Sequence, residues 1–505
     1  MRDSPAVTRR ELLGAAPALI GLWRKTDRAI AGSFVNEAFP LGHRLRDRAA
    51  FRKPTREVRI PIVIVGGGIA GLSAAWRLDR RGFRDFVLLE MEPHAGGNSR
   101  WGENEVSRYP WAAHYVPVPP KGESLVRELL EELAVFRDGK WDERALCFDP
   151  QERLFLHGRW QEGLEPEVGA TAKDREQYRR FNNMIGEFRA TGQFTIPMER
   201  GAKASPLDQQ SFADWMAAQN FDSPYLRWYL NYACRDDYGA LAKDTSAWAG
   251  IHYFAAREPE EKGPLTWPEG NGWILRRLLE KLNRYVRTSE AVYRIEPALT
   301  RSRVLTESVA YICDAVVFAA PTFLASYLME GAPRAEGFEY SPWLTANLTL
   351  DRLPEQKGSE PAWDNVIYDS PSLGYVNATH MSVASRHERT VWTFYWSLAE
   401  QSPAASRALL LQKDWGYWRD AVLSDLSRAH RDLRSCVCRI DVMRSGHAMV
   451  RPVPGFVFSN QRERWAKPFG RIVFANSDLS GLSIFEEAQY RGVRAADQVL
   501  ELVKA

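Results

Sequence analysis

Apolar residues along this chain fall into three spacings, and each predicts an element. Unbroken runs at Ile60 to Val65 and Phe86 to Leu89 have the length and composition of strands buried on both faces. Between them Leu72, Ala75 and Leu78 recur at every third position, which predicts a helix lying on that sheet. Helical spacing returns at Leu125, Leu129, Leu130 and Leu133, and again at Phe181, Met184 and Phe188. Alternation replaces it in WLTANLTL (343 to 350) and TVWTFYWSL (390 to 398), which predicts strands of a half-buried sheet, and a long helix is expected from Ala404 to Leu433. This order of elements makes the chain α/β, without internal repeats or low-complexity tracts.

The turn between the first strand and helix carries the first candidate chemistry. Gly66, Gly68 and Gly71 stand at GxGxxG spacing, with Ile69 and Ala70 opening the helix. The first glycine allows a tight turn, the second lets backbone N–H groups approach a pyrophosphate, and the third lets helix and strand pack closely. Glu90 ends the next strand, where its carboxylate can accept bonds from an adenosine ribose and would repel a 2′-phosphate. The unit reads as a dinucleotide site.

Beyond Glu90, the stretch EMEPHAGGNSRWG sets Gly96, Gly97, Asn98 and Ser99 close behind the acid, and it resembles the double-glycine motif of the flavin amine oxidase and phytoene desaturase superfamily. GRIVFANSDLSGLSIFEEAQYRGVRAADQVL resembles the closing motif of that superfamily: a strand from Ile472 to Ala475, a turn with Asp478, and a helix. WPEGNGWILRRLLEKL (267 to 282) and CDAVVFAAP (313 to 321) resemble its middle glycine turn with helix and its buried strand.

The resemblance implies FAD, held by Gly66, Gly68, Ile69, Ala70, Gly71, Glu90, Gly96, Gly97, Asn98, Ser99 and Asp478. The flavin is expected to be non-covalent, because His447 stands where covalent members carry a cysteine. It further implies a discontinuous Rossmann-type FAD domain with a parallel sheet (58–120, 266–334 and 441–505) and a mixed α+β substrate domain acting as a lid (121–265 and 335–440), preceded by a linker at 32–57. RYPWAAHYVPVP (108 to 119) falls where relatives run beside the flavin, so Trp111, His114 and Tyr115 are candidates for the substrate face. RSGHAMVRPVPGF (444 to 456) adds His447, and Arg451 as either a substrate ligand or a loop support. Trp392, Phe394, Tyr395 and Trp396 read as sheet core or substrate wall. Several family features are missing. The two aromatic cage positions hold Ala448 and Ile484, Pro117 and Val118 replace an acid or histidine, and the usual lysine is absent between Pro321 and Thr349.

Charge narrows the partners. Lys and Arg number 67 against 64 Asp and Glu, and residues 1 to 31 carry six basic and three acidic groups, leaving 61 of each sign in the remainder. With no basic stripe interleaved with aromatics, nucleic acid is not an expected partner. Thr8-Arg9-Arg10 with Leu12 and Leu13 resembles a twin-arginine export signal, and the apolar stretch from Leu12 to Trp23 is too short to span a bilayer. Ala29-Ile30-Ala31 reads as the cleavage triplet, so the mature chain is expected to start near Gly32, in the periplasm or on the outer face of the membrane, with peripheral membrane contact left open. An amphipathic tail is the plainer alternative. Five cysteines (Cys147, Cys234, Cys313, Cys436 and Cys438) form no disulfide ladder, and with no histidine pair beside them no metal site is expected.

Three functions remain open. The leading one is an FAD-dependent oxidoreductase that dehydrogenates a C–N bond of an amine or polyamine-like substrate, passing electrons to oxygen or a quinone. A desaturase or isomerase of an isoprenoid-like chain suits the apolar residues at the cage positions. In a third reading FAD only holds the fold together.

Overall fold

The computed structural model describes residues 29–35, 38–120, 122, 124–257, 263–382 and 387–504. The predicted buried runs form a five-stranded parallel sheet in the order Val286–Arg287, Phe86–Leu89, Ile62–Val65, Ala315–Phe318 and Ile472–Phe474. Every residue of the central three strands is buried, because helices cover one face and a small four-stranded sheet covers the other. Helix Ile69–Arg80 lies against helix Phe485–Lys504. They touch at Gly492, where a Cβ would stand 2.1 Å from the carbonyl oxygen of Ala70. Joining the two ends of the chain thus depends on one missing side chain.

A seven-stranded sheet forms the second body, in the order Val437–Val450, Tyr340–Leu350, Thr390–Trp396, Tyr375–Asn377, Asp364–Ile367, Glu152–Leu156 and Arg159–Glu162. Its pairs are antiparallel except Asp364–Ile367 with Glu152–Leu156. Helices Ala172–Ala190, Phe212–Ala218, Pro224–Tyr238 and Ala247–Ala255 pack into a separate aromatic core beside it.

Several expectations change here. Tyr340–Leu350 and Thr390–Trp396 are buried on both faces rather than half-buried. One face meets helices Pro403–Gln412 and Trp415–Leu426, while polar positions on the other hold the first body. There Asn347 Nδ2 donates to the Pro110 carbonyl at 3.1 Å and Asn104 Nδ2 to Thr349 Oγ1 at 3.0 Å. The long helix expected over 404–433 is broken at Lys413, since Asp414 caps a new helix by accepting the Tyr417 N–H at 2.8 Å. The segment 121–265 supplies two strands of the seven-stranded sheet and a small hairpin, Phe136–Arg137 with Lys140–Trp141, as well as helices, and its helix Leu125–Glu132 packs into the first body's core through Val126, Leu129 and Leu130. Conversely, residues 441–450 continue a strand of the seven-stranded sheet.

The stretch 32–57 is more than a linker, for it contains helix Phe39–Arg46. Just before it, Ala31 exchanges backbone bonds with Cys438 and Ile440, so the expected cleavage triplet joins the folded body. The Thr8 to Leu13 motif lies outside the described residues. Among the described residues no helix is long and apolar enough to cross a membrane.

Candidate functional site

At the C-terminal ends of the parallel strands a cleft of about 460 Å³ opens, the position where open α/β sheets bind ligands. The glycine turn forms its floor. Gly66 has φ +107°, which a side chain rarely adopts, and a Cβ on Gly71 would stand 1.9 Å from the Gly66 carbonyl oxygen. Gly68 differs: its φ is −75°, and the nearest protein atom to a Cβ there would be Gly97 Cα at 3.9 Å. Space above Gly68 therefore belongs to the cleft.

Glu90 closes one end. Its Oε2 accepts the Gly67 N–H and its Oε1 the Glu92 N–H, both at 2.8 Å. Burial raises its pKa above the usual carboxylate range, and these two donors oppose that rise. Each oxygen keeps a lone pair for ribose hydroxyls. Ile69, Ala70, Gly97, Asn98 and Ser99 stand on the wall. Asn98 also ties the double-glycine turn to the second body, donating from Nδ2 to the Ala448 carbonyl at 2.7 Å. Gly96 does not line the cleft; its φ of +141° shapes the turn behind it. Asp478 lines the cleft's other end, its Oδ2 accepting Tyr340 Oη–H at 2.7 Å and the Thr322 N–H at 2.9 Å.

A second cavity of about 140 Å³ shares Asn98, Ala113, Ser445, Ala448, Ile484 and Phe485 with the cleft, so the two are continuous. His114 and Tyr115 line it. His114 stacks on Tyr395 at 4.6 Å and lies 5.4 Å from Trp363, which meets Tyr115 edge-on at 5.9 Å. His114, Tyr115 and Tyr395 thus stand on one cavity with Ala448 and Ile484, and Trp363 packs behind them. Burial lowers the pKa of His114 to about 4, so its imidazole is neutral at neutral pH.

Other candidates fall elsewhere. His447 faces the larger cleft, stacked on Phe323 at 4.6 Å, and does not line the smaller cavity. Arg451 supports a loop through Glu339 at 3.2 Å and Asp244 at 3.4 Å. Trp111 is buried against Tyr109, Ala378 and Met443 and lines neither space. The aromatic strand divides by alternation: Trp392, Phe394 and Trp396 pack against the helices, while Tyr395 faces the cavity.

Sequence reasoning missed the charged wall. Asp236, Asp237, Arg257 and Glu486 all line the small cavity, with Arg257 Nη2 3.4 Å from Asp237 Oδ1. Burial raises both Asp236 and Glu486 to about 7, although Arg257 pulls each down. The signal available was the pair of adjacent acids, Asp236 and Asp237, in CRDDYG near the end of a helix. Asn271 was also missed. It is 1% exposed, lines the cavity, and sits at the N-cap of helix Gly272–Leu282 without making a cap bond. Its Oδ1 and Nδ2 both lack a partner.

Residues 64–133, which hold the strand, glycine turn and helix, match the model of the NAD(P)-binding Rossmann-like domain. Over 88% of the chain the fold is that of solved amine oxidase structures. It superposes on putrescine oxidase bound to putrescine with TM-score 0.67 at 16% identity, covering 88% of this chain and 100% of that one. For cyclohexylamine oxidase from Brevibacterium oxydans IH-35A the values are 0.67, 14%, 88% and 100%. For a CLA-producing fatty acid isomerase from P. acnes they are 0.63, 15%, 88% and 98%. In sequence, 152 residues are 30% identical to the Baeyer-Villiger monooxygenase peniC of Penicillium patulum, over 28% of this chain and 23% of that protein. The chain therefore spans about a quarter of the curated relative it matches.

Proposed function

We propose that the protein is an FAD-dependent oxidoreductase that dehydrogenates the C–N bond of a small amine. The observation that carries this reading is the continuity of the glycine-floored cleft with a small aromatic cavity walled by the buried carboxyl groups of Asp236 and Glu486. Gly66, Gly68, Gly71, Glu90 and Asp478 would hold the cofactor, and the open space above Gly68 fits a pyrophosphate close to the backbone. When bound, flavin supplies the acceptor for two electrons and the hydride leaving the carbon beside nitrogen.

The chain's own groups do the rest. An amine enters as ammonium and must lose a proton before its lone pair can form a C=N bond. Asp236 or Glu486, half ionised near neutral pH, takes that proton, whereas His114 at about 4 is too weak a base. The rings of His114, Tyr115 and Tyr395, with Trp363 packed behind them, confine the substrate and exclude water. Three acids against one arginine favour a cation over an isoprenoid or fatty chain, whose apolar body would leave these groups unpaired.

The test is anaerobic mixing of the purified yellow protein with amines, diamines and unsaturated lipids, followed at the visible flavin bands. Bleaching by amines alone agrees with the reading; bleaching by none, or isomerisation of a lipid without net reduction, overturns it. Flavin left in the pellet after acid precipitation would overturn the non-covalent assignment. The proposal extends to export through the twin-arginine route with oxygen or a quinone as acceptor, supported by the Thr8 to Leu13 pattern.

A further inference from the structure

The segment that precedes the first strand is tied down at both ends. At one end Ala31 to Val35 pairs with Val437–Val450, the outer strand of the seven-stranded sheet. The Ala31 N–H donates to the Cys438 carbonyl at 3.0 Å, the Ile440 N–H to the Ala31 carbonyl at 2.8 Å, and the Val35 N–H to the Val442 carbonyl at 2.9 Å. Gly32 makes this possible: its φ is +143°, and a Cβ there would stand 1.8 Å from the Ile440 carbonyl oxygen. At the other end Phe51 stacks on Tyr293 at 4.9 Å, while Arg44 Nη2 and the Arg52 N–H meet Glu307 Oε1 at 3.2 Å and 3.1 Å. Tyr293 and Glu307 flank strands of the four-stranded sheet, so the two anchors lie on different bodies.

Between them runs helix Phe39–Arg46. Phe39, Gly42 and Leu45, three apart and so on one helical face, line the glycine-floored cleft together with Ala38. Leu45 seats that face, being 5% exposed among Val65, Leu89 and Leu328. Phe39 is half-buried, with the Arg444 guanidinium 5.3 Å from its ring. At Gly42, between them, no atom lies within 4 Å of the place a Cβ would take, so a side chain there would project into the cleft. Ala38 and Phe39 thus set apolar surface against a space of about 460 Å³, and an aromatic ring of a bound dinucleotide would take that surface out of water.

We propose that residues 38–45 are a cofactor-binding element: a strap whose apolar face contacts the bound dinucleotide and which must lift before FAD leaves. This rests on the flavin reading above, but not on the choice of substrate. Binding to the glycine turn alone leaves FAD free to depart by the way it entered. With the strap seated, departure also requires breaking the backbone bonds at Ala31 and Val35 or drawing Leu45 from its seat, so the strap slows release more than entry. Loading accordingly precedes closure: FAD enters while the strap is open, and pairing with Val437–Val450 then ties the cofactor to both bodies.

The experiment compares the full-length wild type with Gly32→Val, which breaks the sheet anchor, and Gly42→Leu, which fills the cleft while favouring the helix by removing an interior glycine. FAD release from each holoprotein after dilution is followed by the recovery of flavin fluorescence, and FAD affinity by titration of each apoprotein. Release about tenfold faster from Gly32→Val and binding about tenfold weaker in Gly42→Leu are expected, the scale of losing one large apolar contact. Amide exchange over residues 39–46 should also slow when FAD is added to wild-type apoprotein. Wild-type release from a folded Gly32→Val, wild-type affinity in Gly42→Leu, or exchange over 39–46 that ignores FAD overturns the strap even where the protein binds flavin. A wild type that binds no FAD overturns the flavin reading, and this inference with it. Should Gly32→Val misfold, Gly42→Leu and the exchange measurement decide.

Discussion

Two glycines three residues apart, each given one methyl group, should fail in opposite ways. At Gly71 a Cβ would lie 1.9 Å from the Gly66 carbonyl oxygen, and a real Cβ needs at least about 3.0 Å. Strand and helix must separate by about 1 Å, and neither contact atom can rotate away because one is backbone. Overpacking of this kind costs about 3 kcal/mol, the upper part of its usual range. At Gly68 the dihedral angles of −75° and −176° suit any residue, and the nearest atom to a Cβ is 3.9 Å away. Losing glycine at this N-cap costs about 0.5–1 kcal/mol, and the smaller unfolded-state entropy returns about as much, so the net change is under about 1 kcal/mol. The methyl would nonetheless occupy the space assigned to the pyrophosphate. Urea unfolding of deflavinated protein should therefore show Gly71→Ala clearly destabilised and Gly68→Ala near wild type; using apoprotein removes stabilisation by ligand binding. Fluorescence titration with FAD should show Gly68→Ala, and more so Gly68→Val, binding at least about tenfold more weakly, equivalent to about 1.4 kcal/mol. Wild-type affinity in both Gly68 variants would refute the cleft as the dinucleotide site. Wild-type stability of Gly71→Ala would refute the close helix–strand contact.

Three further outcomes follow from named groups. His114→Ala should keep its flavin but change the rate of flavin reduction, while the rate's pH dependence near 7 persists, because His114 is neutral above about 4; loss of that limb would assign the base to His114. Glu486 has its pKa raised from 4.5 to about 7, so the folded state holds a proton that the unfolded state releases across this window. Stability must fall as pH rises from about 4.5 to 7, by at most about 3 kcal/mol from this group. Glu486→Gln should flatten that slope in urea midpoints at pH 5 and pH 8, and an unaltered slope would contradict the burial argument. Replacing Arg9 and Arg10 with Lys should retain folded, FAD-loaded precursor in the cytoplasm. If the wild type is exported and cleaved, intact mass should place the new N-terminus before Ala31, since Ala31 pairs with the sheet; a fully cytosolic wild type would remove the export proposal.

What the chain determined by itself is local and covalently close. Ile62 to Val65, the glycines after it and Glu90 lie within one strand–helix–strand unit, where hydrophobic run length and the absence of side chains at 66 and 71 dictate geometry through neighbours in sequence. The same holds for Asp478, fixed by its own turn and capped by Asn476. Alternation correctly announced the strands around 345 and 393, but it could not tell solvent from a second protein layer, because Asn347 and Thr349 are polar for the sake of bonds across the two bodies, and Thr393 supports Asn347 from the neighbouring strand. The substrate cavity was decided by tertiary structure. Asp236, Arg257, Asn271, Tyr395 and Glu486 come from five separate elements or loops, and nothing in their sequence neighbourhoods shows that they converge. His447 and Arg451, four residues apart, diverge for the same reason: one faces the cofactor cleft, the other anchors a loop, because the strand ends between them at Val450. A side chain's ionisation and its lack of partners are properties of everything packed around it, so pKa values near 7 at Asp236 and Glu486 and the unpaired carboxamide of Asn271 exist only in the assembled fold.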